Sequence, residues 1–142
     1  MEKLYYLGIK ALIRNAAGDI LLLEVTKPDG RTYWDFPGGR INRGEDIETA
    51  LRREVQEETG ITGLTVGGCV GTELTAIEIP VAGDHDRGLI LSVYACEATG
   101  LSEIVTEENM RAGWCTPAEA VARNKKFSDD MKQRILQVLG AA

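Results

Sequence analysis

Arg53-Glu54-Val55-Gln56-Glu57-Glu58 sets three glutamates within five positions and puts an arginine directly before them. Carboxylates this close repel one another, and clustering them is costly unless a cation or a shared proton compensates. Two chemistries answer to the pattern. The group can hold a hard divalent cation, because Mg²⁺ prefers carboxylate and carbonyl oxygens and keeps several waters. Alternatively it is the solvated face of a charged helix, in which Arg53 and Glu57 form an i,i+4 pair.

The direction of the helix decides between them. Asp46 is a suitable N-cap and Gly60 a suitable C′ residue, which predicts a helix over 46–59. With Leu51 set at zero on a wheel of roughly 100° per residue, Ile47, Ala50, Leu51 and Val55 form an apolar stripe. That stripe centres near about −25°, with Glu58 at about −20°, Glu54 near −60° and Glu57 near −120°. Glu58 therefore continues the inward face, Glu54 lies beside it and Glu57 at its edge. A solvated helix would place these charges opposite the stripe, so the wheel favours the metal reading. Pro37-Gly38-Gly39, just upstream, reads as a bare backbone turn able to approach a ligand closely. Arg40, Arg43, Arg52 and Arg53 supply positive charge for phosphate or for orienting the carboxylates.

The elements that must carry this helix are legible from pattern. Residues 4–14 alternate as a strand, with Ile9, Ala11 and Ile13 on one face. A turn over 15–19 leads to a buried strand at 20–25, and Pro28-Asp29-Gly30 turns the chain again. Residues 33–36 are a short extended piece ending at Pro37. After the helix, 64–79 is β-rich, with Gly67, Gly68 and Gly71 marking a bend or bulge. Residues 81–88 read as a loop, 89–98 as a strand, and 100–112 as polar and partly loop. Thr116-Pro117-Ala118-Glu119 is a capping-box pattern with Pro at N1, and Ser128 caps a last helix with Met131, Ile135, Val138 and Leu139 on one face. The order predicts a mixed sheet with helices on both faces, an α/β fold.

Composition fits one domain spanning 1–142: 142 residues, 44% hydrophobic and 27% charged. No apolar run is long enough to span a bilayer, and the N-terminal segment is too polar for a signal peptide, so a cytoplasmic location is expected. Cys69, Cys96 and Cys115 are spaced too far apart for a CxxC site and read as small buried thiols. His85 is the only histidine, which argues against zinc. A net charge of −6 excludes nonspecific nucleic-acid binding through the overall field.

The segment resembles the signature of the Nudix hydrolases, G-x5-E-x7-R-E-U-x-E-E-x-G-U with U aliphatic. It reads here as Gly39, Glu45, Arg53-Glu54-Val55, Glu57-Glu58 and Gly60-Ile61, and all nine specified positions match. A chance match in a chain of this length is on the order of one in ten million. The resemblance implies an α/β/α sandwich with a mixed sheet. It implies hydrolysis of a phosphoanhydride bond in a nucleoside diphosphate linked to another moiety, with Mg²⁺ or Mn²⁺. Carried over by motif position, Glu54, Glu57 and Glu58 bind or serve the metal, Glu58 foremost, and the Gly38 carbonyl joins them. Arg53 and Glu45 would hold the catalytic glutamates in place. Outside the motif, Glu107 and Glu108 stand where relatives often place a further acid, with Glu108 taken as a metal ligand and a solvated loop as the plainer reading.

Marks of substrate class are poor. Pro80 lies further past the motif than the proline of ADP-ribose hydrolysing relatives, no tyrosine precedes Tyr94 in the region used by dinucleoside polyphosphate relatives, and Asn42 stands where many nucleotide-cleaning relatives carry glutamate. The expected substrate is a small nucleotide, a nucleoside triphosphate or nucleoside diphosphate sugar, with the protein a monomer or homodimer. No nucleic-acid partner is expected, because no basic or aromatic-rich surface is evident. Tyr33 and Trp34 could stack on a base, though aromatics of this kind more often pack a sheet. Asp84-His85-Asp86-Arg87 reads as a solvated hairpin loop, with His85 and Arg87 available to a substrate only if the loop folds over the pocket. The rival function is a Nudix-fold module that binds a nucleotide without cleaving it; the intact motif glutamates favour the enzyme.

Overall fold

Alternating apolar residues make Tyr5–Arg14 the central strand, β1, of the structure, a computed structural model that describes residues 2–98 and 104–141. Ile9, Ala11 and Ile13 are buried on one face and Leu12 on the other. One edge of β1 runs parallel to β6 (Arg87–Ala98) along its whole length, from Tyr5 opposite Gly88 to Arg14 opposite Glu97. β5 (Leu64–Ile79) completes that side antiparallel to β6, its register broken at Val66/Cys69 and Cys69/Gly71, where the glycines suggested a bulge, and again at Leu74/Glu78.

The other edge of β1 has two partners. Its first half pairs with β4 (Gly38–Arg40), and Arg14 pairs with Ile20 at the start of β2 (Ile20–Thr26). β2 then diverges from β1. β7 (Met110–Cys115) fills one edge of β2 from Ile20 to Val25, so β3 (Thr32–Asp35) must lie on the edge that faces β1. The sheet is therefore split, with β3 lining one side, β4 the other, and Phe36-Pro37 bridging them. This split positions everything discussed below.

Helix α1 (Ile47–Thr59) covers one face, packing Ala50, Leu51 and Val55 on Ile9, Ala11, Ile13 and Leu21. Its ends are those the sequence signals. Asp46 accepts the Thr49 N–H at 2.7 Å, and Gly60 takes a φ of 76° that only glycine adopts without strain. The opposite face is covered by α2 (Pro117–Arg123), capped by Thr116, and α3 (Asp129–Val138), capped by Ser128. Their Ala120, Val121, Met131 and Ile135 pack with Leu12, Ile20, Leu22, Phe36 and Leu91. The layers are helix, mixed sheet and helices, as expected. No helix among the described residues is long and apolar enough to cross a membrane.

Four local expectations fail, each for a tertiary reason. Gly38–Arg40 is a strand, because β1 offers it a free edge; glycines alone signal a turn. Met110–Cys115 is a strand although 100–112 is polar and partly loop by pattern, since pairing with β2 overrides that weak pattern; residues 100–103 of the segment lie outside the described residues. Ile47 and Val138 are exposed, because each is the terminal residue of its helix, the first of α1 and the last of α3. Cys69 is exposed at the β5 bulge, while Cys96 and Cys115 are buried as expected.

The helix register yields a stability contrast. Leu51→Ala should cost about 2–5 kcal/mol in urea unfolding, whereas Ile47→Ala should cost less than about 1 kcal/mol. Equal losses would mean that the inward face of α1 is misassigned.

Candidate active site

β4 has almost no side chain where α1 approaches it. Gly39 lies opposite Ile9, the residue that faces α1, and a Cβ on Gly39 would sit within 2.6 Å of both carboxylate oxygens of Glu54. Gly38 has a φ of 149°, and a Cβ there would strike the carbonyl oxygen of Ile9. Both positions therefore require glycine. Along β4, Pro37 O and Ile41 N bond back to Ala11 and Leu7 of β1. Strand alternation then turns the polar groups of Gly38 and Arg40 away from β1. The Gly38 N–H donates to Glu58 Oε1 at 2.7 Å, and the Arg40 carbonyl accepts from Arg53. The Gly38 carbonyl shares that edge.

Arg53 organises the carboxylates. Its guanidinium grips Glu45 with two bonds, Nε to Oε2 at 2.7 Å and Nη2 to Oε1 at 2.9 Å. It also donates from Nη1 to Glu54 at 3.0 Å and to Glu57 at 3.3 Å. The Glu45 bonds, then Glu54, hold Arg53 further toward its charged form than usual, and the same guanidinium lowers the Glu45 pKa, helped by the Asn42 backbone N–H. Asn42 takes part through its backbone.

Glu58 is different. It is half-buried and has no ion-pair partner among the described residues. Burial pushes its carboxyl up to about 7, with Glu54 and Asp35 adding to the rise and the Gly38 N–H and Lys10 ammonium opposing it. A carboxylate held by one backbone donor beside a second carboxylate suits an added cation. Glu54, Glu58 and the Gly38 carbonyl are hard oxygen donors of the kind Mg²⁺ and Mn²⁺ accept. Glu57 is exposed on the same helix edge. Among the described residues no three acidic, histidine or cysteine side chains already converge on one point.

Across the split stands a buried network absent from the sequence reading. Lys10 Nζ bonds Asp35 Oδ2 at 2.9 Å, Lys126 Nζ bonds the same oxygen at 2.6 Å, and Asn124 Nδ2 reaches Oδ1 at 3.3 Å. Lys10 and Asp35 are 7% and 5% exposed. Burial opposes ionisation of Asp35, but the two lysines outweigh it and hold its carboxyl below the usual range. Burial likewise opposes the Lys10 charge, and Asp35 outweighs it and raises the Lys10 pKa. A lysine in a β-strand and an acid before Phe36 carry no motif; only tertiary pairing identifies them.

This network floors a cleft on the α2/α3 face. Lys10, Arg40 and Lys126 line a cavity of about 270 Å³ beside Gly39. It shares Lys126, Ile79 and Leu89 with a cavity of about 560 Å³ lined by Tyr33, Trp34, Lys27, Arg123 and Lys125. The fold assembles a basic cleft with two aromatic rings from residues scattered between 10 and 126.

The remaining candidates separate. Glu107 and Glu108 are exposed in the turn entering β7, with Glu108 beside Thr26, Lys27 and Pro28, and no hydrogen bond or ion pair among the described residues joins them to the α1 carboxylates. Arg87 is tied to Asp84 at 2.8 Å within the β5–β6 loop. That loop borders a separate cavity with Glu2, Lys3 and Glu78, which contains none of the motif residues.

Comparison with known proteins agrees with this geometry. A family model described as NUDIX domain matches residues 4–136. A MutT-like protein of Streptomyces ambofaciens is 31% identical over 121 residues, covering 85% of this chain and 70% of the relative. An RNA pyrophosphohydrolase of Actinobacillus pleuropneumoniae is 45% identical over 58 residues, 41% of this chain and 27% of the relative. The chain thus spans under a third of some curated relatives that it matches. The crystal structure of the MutT protein from Methanosarcina mazei Go1 superposes with a TM-score of 0.71 at 25% identity, covering 97% of each chain.

The buried network makes a pH-dependent prediction. Asp35→Asn leaves two lysines without their carboxylate and should cost about 3–5 kcal/mol near neutral pH. Because the folded pKa of Asp35 lies below its ordinary value of 3.8, its contribution is complete above that value and is lost as pH falls through the folded pKa. The stability gap between wild type and variant should therefore narrow in acid; a gap independent of pH would contradict the assignment.

Proposed function

The chain belongs to the Nudix hydrolase family, and from that membership we propose that it hydrolyses a phosphoanhydride bond in a nucleoside diphosphate linked to another moiety, with Mg²⁺ or Mn²⁺. The observation that carries the reading is the pair Glu54 and Glu58, set on the sheet-facing edge of α1 against the bare backbone of Gly38 and Gly39, with Glu58 lacking a cation. Glu54, Glu57, Glu58 and the Gly38 carbonyl would hold the ion, with Glu108 a further candidate. When bound, such an ion polarises the phosphoryl oxygens and makes a water more acidic for in-line attack.

The chain's own residues do the rest. Arg53 and Glu45 keep Glu54 and Glu57 in one arrangement, so that little reorganisation is needed at reaction. Glu54, which rests against Gly39, or a glutamate outside the motif would accept the proton of the attacking water. Lys10, Arg40 and Lys126 face the polyanionic substrate from the other side of the split, and they offset a net charge of −6. A nucleoside triphosphate or a nucleoside diphosphate sugar meets these demands.

The test is turnover of a panel of nucleoside triphosphates, nucleoside diphosphate sugars, ADP-ribose and dinucleoside polyphosphates with Mg²⁺, products resolved by chromatography. Glu58→Gln should lower kcat at least about 100-fold. Arg53→Lys, which keeps the charge and loses the fork, should lower it by about tenfold or more. Metal-dependent binding without turnover of any compound would favour a sensor module, and unchanged turnover in Glu58→Gln would remove the metal from α1.

A further inference from the structure

The cleft beyond the reacting bond carries more positive charge than a pyrophosphate needs. Six of the chain's 16 lysines and arginines line it: Lys10, Arg40 and Lys126 at the split, and Lys27, Arg123 and Lys125 at the far end. Among the described residues no carboxylate lines either cavity. Asp35, beneath the near end, is bonded to Lys10 and Lys126. At the far end, among the described residues, Arg123 pairs with one acid, Glu119, at 3.5 Å, and Lys125 bonds only a backbone carbonyl. In a protein of net charge −6, cations gathered this way repel one another unless an anion joins them.

The aromatic rings refine the ligand. Lys27 and Lys126 stand over the Tyr33 ring at 5.3 and 5.0 Å, and Arg123 over the Trp34 ring at 4.9 Å. Binding of single-stranded nucleic acid relies on ring faces free to stack bases. Here cations cover both rings, so the far end is built for charge, with Ile77, Ile79 and Leu89 as its apolar wall.

Resting on the reading of the site as a pyrophosphohydrolase, we propose that this cleft selects small substrates that carry a second anionic group, a phosphate or carboxylate on the moiety beyond the scissile pyrophosphate. Lys27, Arg123 and Lys125 hold that group, and Lys10, Arg40 and Lys126 hold the pyrophosphate. These three far-end residues determine specificity and leave the chemical step to α1.

The test reads binding without turnover, by calorimetry on the full chain in EDTA, so it stands apart from any failure of the hydrolysis assay. Two matched pairs are compared: UDP-glucuronate with UDP-glucose, which differ by a carboxylate, and NADP⁺ with NAD⁺, pyrophosphates that differ by a phosphate. The more highly charged member of at least one pair should bind about tenfold or more tightly, and the pair that responds identifies the anion. The exposed triple variant Lys27→Gln/Arg123→Gln/Lys125→Gln should bring that ratio close to one, weakening the more highly charged compound far more than its partner. A charge-matched control, Arg14→Gln/Lys132→Gln/Arg134→Gln, should preserve the ratio. Equal binding within both pairs, no binding by any compound, or a ratio that survives the triple variant overturns the proposal. So does a 5′-triphosphorylated oligoribonucleotide that binds more tightly than either charged compound and loses that affinity in the triple variant, which assigns the cleft to RNA ends.

Discussion

Two carboxylates can face a β-sheet from a packed helix only if the strand opposite has no side chains to oppose them. Gly38 and Gly39 supply that condition. Gly39 lets the Glu54 carboxylate rest on the backbone, and the N–H of Gly38 is turned outward to hold Glu58. The rest of the structure follows from keeping β4 there. β1 must leave one edge free, β2 must diverge, and Phe36-Pro37 must bridge the resulting split. Apolar packing of Leu51 and Val55 then fixes how closely α1 approaches.

The split gives the protein two electrostatic half-sites of opposite sign. On the α1 side, Glu58 has no ion-pair partner among the described residues; on the α2/α3 side, the lysines and arginines outnumber the acids that reach them. Burial is the main cause of the raised Glu58 carboxyl, and Glu54 beside it adds to the rise. On the proposed reading a metal-bound polyphosphate would satisfy both, the ion meeting the glutamates and the phosphates meeting Lys10, Arg40 and Lys126. Asp35 keeps this from being a simple patch: it neutralises part of the lysine charge and fixes Lys10 and Lys126 in place.

Legibility in the sequence tracks how local each determinant is. The ends of α1 were readable because Asp46 and Gly60 act within a turn of the helix they bound. The inward direction of Glu54 and Glu58 was readable because helical period alone sets it. The roles of Arg53 and Glu45 came from family resemblance, and the structure joins them by a two-bond fork across eight positions. The Lys10–Asp35–Lys126 network was invisible, since its partners lie 25 and 91 positions apart and no spacing rule links them. β4 and β7 were missed for the same reason: their residues are poor strand formers that pair because a neighbouring edge is open. The basic cleft draws its cations from four separate stretches, at 10, 27, 40 and 123–126, and could only emerge from the fold.

The central claim is that a divalent cation completes the charge balance at Glu54 and Glu58. Titration of Mn²⁺ into the protein, read by the paramagnetic signal of the free ion, tests it without reference to any substrate. The account predicts saturable Mn²⁺ binding that Mg²⁺ displaces and that Glu54→Gln/Glu58→Gln abolishes in a protein that remains folded. Equal Mn²⁺ binding by wild type and the double variant would contradict it.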